Sequence, residues 1–176
     1  MYNTYRDELN RRIKNPIETI NSIKGFGIIS ESIVDKVYDI FGKNSLLSML
    51  YQVGAGPGEV IANRLKEKFV KEEFQVLEAL ELLINELKEF YSIQIRTIEE
   101  EDKKVRFVIE NHCFLRSSIK RRSKLDFGKA FCRVNKGYFE TALRLMLGRK
   151  IKKIDINYVE NDEEKDACIE ELIFYK

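Results

Sequence analysis

The chain of 176 residues contains no tryptophan, one histidine, two prolines and three cysteines. With His112 as the sole histidine, a triad or dyad would have one available base, and neither a G-x-S-x-G elbow nor another nucleophile signature accompanies it. Three scattered cysteines, Cys113, Cys132 and Cys168, argue against a disulfide framework and fit reduced thiols, whose ordinary place is the core. No apolar run approaches the ~20 residues of a membrane span. The first residues, MYNTYRDELNRRIK, carry acids and lack an apolar stretch, so no secretory leader is expected and the cytosol is the expected compartment. An excess of one charge is also missing: 31 basic residues face 29 acidic ones, for a net charge of +2. No global field therefore attracts nucleic acid or anionic lipid, and any such binding needs a local patch.

What is present suits a single folded domain. Hydrophobic residues make up 44% of the chain and charged residues 34%, far from the composition of disorder. Residues 7–14 read as a short polar helix, ended before Pro16 because the residue preceding proline is steered from the α region. Over 30–41, Ile33, Val34, Val37, Tyr38, Ile40 and Phe41 recur at helical spacing, with Ser30 as an N-cap and Gly42 as a stop. Helical patterns follow over 45–69 and 72–91. Ile93, Ile95 and Thr97 then alternate with polar neighbours, and after a charged turn at 100–104 the β pattern resumes over 105–110, which predicts a hairpin. A helix over 136–147 closed by Gly148, an alternating strand over 151–159, an acidic turn over 160–166 and a last strand over 168–175 complete the chain. The expected class is α+β: N-terminal helices packed with a mostly antiparallel sheet that one helix crosses. Residues 1–24 form an N-terminal helical arm and 25–176 the domain.

The densest glycine stretch, Tyr51-Gln-Val-Gly-Ala-Gly-Pro-Gly-Glu59, invites comparison with phosphate-cradling loops. A dinucleotide fingerprint needs G-x-G-x-x-G directly after a strand. Here Glu59 stands where the third glycine belongs and the preceding segment reads as helix. No Gly-Lys-Ser/Thr follows either, so this is not a Walker loop. Gly54 and Gly58 instead lie four apart, on one face of a continuing helix, where missing side chains let another element approach. Pro57 is expected to kink or restart that helix.

Two basic clusters remain. Arg116-Ser-Ser-Ile-Lys-Arg-Arg-Ser-Lys124 has no interleaved aromatics, and Arg149-Lys-Ile-Lys-Lys153 follows. Together they offer phosphate contacts, which makes a nucleic-acid-associated regulator the runner-up reading. The plainer reading is a solvated loop and a strand face, the second cluster being neutralised by the acidic turn over 160–166.

The run from Cys132 to Lys150, CRVNKGYFETALRLMLGRK, with the strand to Tyr158 and with Cys168, resembles the 4-vinyl reductase domain family. That family shows a Cys, a short gap, Gly and an aromatic opening a helix, Gly-Lys/Arg at its end, and an acidic residue on the next strand. Leu50-Tyr-Gln-Val-Gly54 with Gly58 looks like its Tyr-x-x-Gly-x-x-x-Gly helix, and Asn111-His-Cys113 like its Asn-Cys strand end. The resemblance covers most of the chain from about Gly25 onward.

It implies a fold shared with TRAPP vesicle-tethering subunits and haem-nitric-oxide sensors, usually dimeric, enclosing an apolar ligand cavity. Phe107, Phe114, Tyr138, Phe139, Leu143 and Met146 are the candidate pocket residues; such a stripe is otherwise plain core. The resemblance further implies zinc beside that cavity, as in the aromatic-sensing domains of phenol-responsive regulators. Cys132 matches the first ligand, Cys168 the last and Asp155 the acidic one, while Tyr158 stands where the third ligand, a Cys, is expected, leaving Cys113 as substitute ahead of His112. The expected function is non-enzymatic binding of a hydrophobic small molecule by a homodimer. A tetrapyrrole-processing accessory protein or enzyme is a further alternative, although nothing in the chain resembles a flavin or nicotinamide site.

Overall fold

The computed structural model describes Arg6 and residues 8–11, 22–116, 130–162 and 164–176. Residues 8–11 are helical, as expected for the arm. The first long element, α1, runs from Ser22 to Phe69 with one break, at Gly42, whose φ of 76° and ψ of 174° leave the helical region. Glycine alone adopts that backbone without a Cβ penalty, so the stop expected at Gly42 is there. The start expected at Ser30 is not. The helix already runs at Ser22, through Gly25, Gly27 and the position dividing arm from domain, because glycine in helical φ/ψ weakens a helix without ending it. Nor does the helix restart at Pro57, where φ and ψ stay helical. Pro57 and Val53, whose carbonyl loses its partner, are both on the exposed side, so water can take that carbonyl.

The next helix, α2, spans Val76–Leu87, shorter at both ends than the apolar pattern, and places Ala79, Leu80, Leu83 and Leu87 on its buried face. At its start the Gln75 amide donates to Glu78 at 3.3 Å. The hairpin follows as β1, Tyr91–Glu101, and β2, Lys104–Cys113. Then come α3, Phe131–Leu147, a 3-10 turn at Gly148–Lys150, β3, Lys153–Asp162, and β4, Ala167–Tyr175. Gly148 ends α3 as expected, with φ 59° and its N–H donating to the Arg144 carbonyl.

The four strands form one antiparallel sheet in the order β1-β2-β4-β3. Each edge strand carries one extra residue: Arg96 on β1, between the pairs Ile95–Ile109 and Thr97–Val108, and Val159 on β3, between Tyr158–Glu170 and Glu160–Ile169. One face is apolar, with Val105, Phe107, Ile109, Ile154, Ile156, Leu172 and Phe174 buried against α2 and α3. The other is a charged ladder in which Arg106 reaches both Glu99 and Glu171, and Arg96 reaches Glu110.

The helix α3 lies between this sheet and α1. Cβ atoms placed at Gly54, Gly58 and Gly137 would stand 2.0, 2.5 and 2.1 Å from the carbonyl oxygens of Val134, Tyr138 and Tyr51. The contact advances in the same direction along both helices, so they are parallel. The glycine stretch is thus a packing face, as its spacing predicts; Gly56, with nothing within 4 Å, is on the far side. Two cations of the second basic cluster are paired, though not with the acidic turn. Lys150 stands 3.8 Å from Glu73 and Lys153 2.8 Å from Asp155. No helix among the described residues is long and apolar enough to cross a membrane.

Candidate functional site

Alternation along the strands sends Asn111 and Cys113 of β2 and Cys168 and Glu170 of β4 to the face that α3 covers. The extra residue in β3 rephases its alternation, so that Tyr158, paired with Glu170, and Asn161, paired with Cys168, both turn the same way. On α3, Cys132, Asn135 and Phe139 recur at helical spacing and are all buried. One end of the sheet and the first turns of α3 therefore enclose a polar cluster inside an otherwise apolar core.

Its members are tied to one another. Tyr91 Oη donates to Asn135 Oδ1 at 2.8 Å, and Asn135 Nδ2 donates to Cys113 Sγ at 3.3 Å. Asn111 Nδ2 donates to Glu170 Oε1 at 2.9 Å. Tyr158 Oη donates to the carbonyl oxygen of Cys132. Arg116 reaches in from the turn after β2. It donates through Nε to Asp166 at 2.7 Å, through Nη1 to Cys168 Sγ at 3.1 Å, and through Nη2 to Asn161 Oδ1 at 2.8 Å.

Burial sets the electrostatics. Desolvation pushes the Glu170 carboxyl up to about 7, against the opposing Asn111 hydrogen bond. The Cys168 thiol is pushed up to about 11, by burial first and by Glu170 second, with Arg116 opposing. Cys113 and the Tyr158 phenol are raised by burial as well, Glu170 and the three cysteines adding to the shift at Tyr158. At neutral pH both thiols stay protonated, so neither Cys113 nor Cys168 is an activated nucleophile. What the cluster offers is hydrogen bonding in a dry setting, from protonated thiols, amides and a phenol, with the Arg116 guanidinium at its edge and the Glu170 carboxyl able to change charge near neutral pH. One acceptor in it is unused: Asn111 Oδ1 is buried and has no hydrogen-bond partner among the described residues.

The expected metal ligands are distributed as follows. Cys132, Cys113 and Cys168 are all near enough to Tyr158 to raise its phenol, and Tyr158 bonds the Cys132 carbonyl directly. Asp155 does not join them: it stands between the buried Ile154 and Ile156, on the opposite face of β3, and pairs with Lys153 at 2.8 Å. The carboxylate beside the thiols is Glu170. Its signal in the sequence is the alternation Cys168, Glu170, Leu172, Phe174, which sets an acid in a buried register. Among the described residues no three His, Cys, Asp or Glu side chains group as a metal-holding set. Cys168 faces a guanidinium and Cys113 an amide, so the side chains as placed do not form a tetrahedral donor set. His112 lies on the charged face, 3.1 Å from Glu110 and 3.2 Å from the Asp166 carbonyl.

Of the candidate pocket residues, Phe107, Phe139, Leu143 and Met146 are within the main core cluster, and Tyr138 packs against it. Phe114 is exposed at the rim, edge-on to Tyr91 with centroids 5.7 Å apart. Of the basic run 116–124, Arg116 is turned inside and the remainder lies outside the described residues.

No protein-family model matches the chain, and no curated protein matches it. Its fold is similar to a solved structure, the phenol-responsive sensory domain of the transcription activator PoxR with phenol. The TM-score is 0.56 at 12% identity, over 90% of this chain and 76% of that one.

Proposed function

We propose that this protein is a small-molecule-binding sensory domain of the 4-vinyl reductase type, non-enzymatic, that takes a small, mostly apolar ligand. The observation that carries the reading is the likeness of fold, over 90% of the chain, to a sensory domain solved with phenol. The chemistry of the interior supports it. The apolar side chains Phe107, Phe139, Leu143 and Met146 lie on the same side of the sheet as Asn111, whose Oδ1 is an unused buried acceptor. A ligand with an apolar body and one hydroxyl satisfies both requirements, since a buried acceptor left without a donor costs about 1–3 kcal/mol. Binding then acts on how α3 sits against the sheet.

The reading includes a homodimer formed through Phe26, Ile29, Ile33 and Ile40, apolar side chains exposed on the first segment of α1. Zinc enters it only if Arg116 leaves Cys168. Metal analysis of wild-type protein against Cys132→Ser and Cys168→Ser decides that: stoichiometric zinc lost from both variants places an ion there.

The test of ligand binding is native mass spectrometry of gently purified protein, followed by calorimetric titration with phenol as probe. A hydrophobic passenger or saturable phenol binding, weakened at least tenfold in Asn111→Leu, is the expected result. Absence of any passenger together with flat titrations for phenol and alkylphenols would overturn the proposal.

A further inference from the structure

One border of the buried cluster is filled by a side chain of the same chemistry as the ligand proposed for it. Tyr91 opens β1, a border strand, and is paired with Cys113 on β2. Its ring stands edge-on to both Phe114 and Phe139, with centroids 5.7 and 5.4 Å away. Its hydroxyl donates to Asn135 Oδ1 at 2.8 Å. The side chain is thus a phenol, packed against two aromatic rings, hydrogen-bonded at its buried tip and attached to the chain by one methylene.

On the outer side its neighbours are exposed. Phe114 is 45% exposed and Phe90, edge-on to Phe114 at 5.7 Å, is 54% exposed, against 7% for Tyr91. The backbone beneath the two phenylalanines is tied, because the Phe114 amide donates to the Phe90 carbonyl at 3.1 Å. Movement at this rim is therefore a matter of side chains: Phe114 can rotate into water without breaking a side-chain hydrogen bond, and Tyr91 can follow at the cost of one. On the inner side Asn135 Nδ2 holds Cys113 Sγ at 3.3 Å. Asn111, two residues before Cys113 on the same face of β2, carries the Oδ1 left unused among the described residues. Protein interiors are close-packed, so a ligand that enters displaces a side chain. Phe107, Leu143 and Met146 are wholly buried, whereas Tyr91, at the end of a border strand beside an exposed ring, is placed to move.

We infer that Tyr91 is the resident occupant of the ligand slot, a tethered phenol that swings outward past Phe114 when a free phenol enters. The inference rests on the sensory reading above and adds the event that binding requires. The tether makes Tyr91 an incomplete occupant: it satisfies Asn135 and leaves the Asn111 acceptor empty. A ring without that attachment can present its hydroxyl to Asn111, while water satisfies the displaced hydroxyl of Tyr91. Burial first and Cys113 second raise the Tyr91 phenol, so the slot holds a hydroxyl in its neutral form and suits neutral phenols over phenolates and carboxylates.

The experiment is calorimetric titration of wild type and Tyr91→Ala with phenol, alongside NMR of wild type with labelled tyrosine and phenylalanine rings. A slot that is mostly closed lowers apparent affinity by the fraction of molecules that are open, so removing the occupant should tighten phenol binding at least tenfold. In wild type, saturation with phenol should abolish the ring-to-ring contacts between Tyr91 and Phe139. Phenol binding to wild type with those contacts intact, or with the same affinity as to Tyr91→Ala, overturns the inference and leaves the sensory reading standing. A flat titration of wild type with saturable binding to Tyr91→Ala supports Tyr91 as the occupant and counts against the sensory reading. Flat titrations of both proteins overturn both. If Tyr91→Ala does not fold, Tyr91→Phe takes its place: it keeps the ring and loses the Asn135 bond, so phenol should bind it at least threefold tighter than wild type, and equal affinity counts against the inference.

Discussion

A Cβ atom at Gly54 would stand 2.0 Å from the carbonyl oxygen of Val134, closer than non-bonded atoms approach. The obstacle is backbone, so no rotamer change relieves it. Gly54→Ala is expected to force α1 and α3 apart, at a cost of about 3 kcal/mol or more. Gly56→Ala, two residues on and facing open space, is expected to stabilise by about 0.5–1 kcal/mol. Urea denaturation of the pair checks this: similar midpoints for both variants would mean that the helices do not pack through this face.

The raised carboxyl of Glu170 predicts a pH dependence of defined sign. Unfolded, the group titrates near its ordinary ~4.3; folded, at about 7. Between those values the folded chain retains a proton that the unfolded chain releases. The associated stability is fully present below the unfolded value and is lost as pH rises through 7, about 4 kcal/mol in all. Glu170→Gln mimics the protonated form, so it should equal wild type near pH 4 and exceed it by about 4 kcal/mol near pH 8.5. The difference between the two proteins is the quantity to measure, because Glu110, Glu171 and Asp155, whose carboxyls are held low by Arg96, Arg106 and Lys153, lose stability in the opposite direction, as pH falls. A difference that does not vary with pH would show that Glu170 is solvated.

Phe26, Ile33 and Ile40 follow one another at intervals of seven on α1 and are 67%, 57% and 70% exposed, with Ile29 at 60% between them. An apolar stripe of this spacing on the surface is the seam of a helix pair. Self-association through it is expected, and the double substitution Ile33→Glu with Ile40→Glu is expected to yield monomer with the fold intact. Sedimentation velocity on both proteins is the check; a monomeric wild type would assign the stripe to some other contact.

Much of the fold was legible because its signals are local. The hairpin, the close approach at Gly54 and Gly58, and the stops at Gly42 and Gly148 each follow from spacing or from the conformational freedom of one residue. The start of α1 was not legible, since Gly25 and Gly27 look like loop residues and the helix pays their cost from neighbours on both sides. The buried site was half legible. The resemblance groups the three cysteines with Asp155, yet period-two alternation beside Ile154 and Ile156 turns Asp155 away, and it is Glu170, two residues after Cys168, that the same alternation buries beside the thiols. Arg116 was hidden for another reason. It opens a basic run that reads as solvated, and its partners Asn161, Asp166 and Cys168 come about fifty residues later, where sequence spacing carries no information.

The residues inserted at Arg96 and Val159 are in the two outermost strands, one at each border of the sheet. Each border is therefore bent partway along, and a neighbouring molecule laying a straight ribbon against either would match only a few successive peptide groups. The bends themselves thus discourage growth of the sheet at both sides.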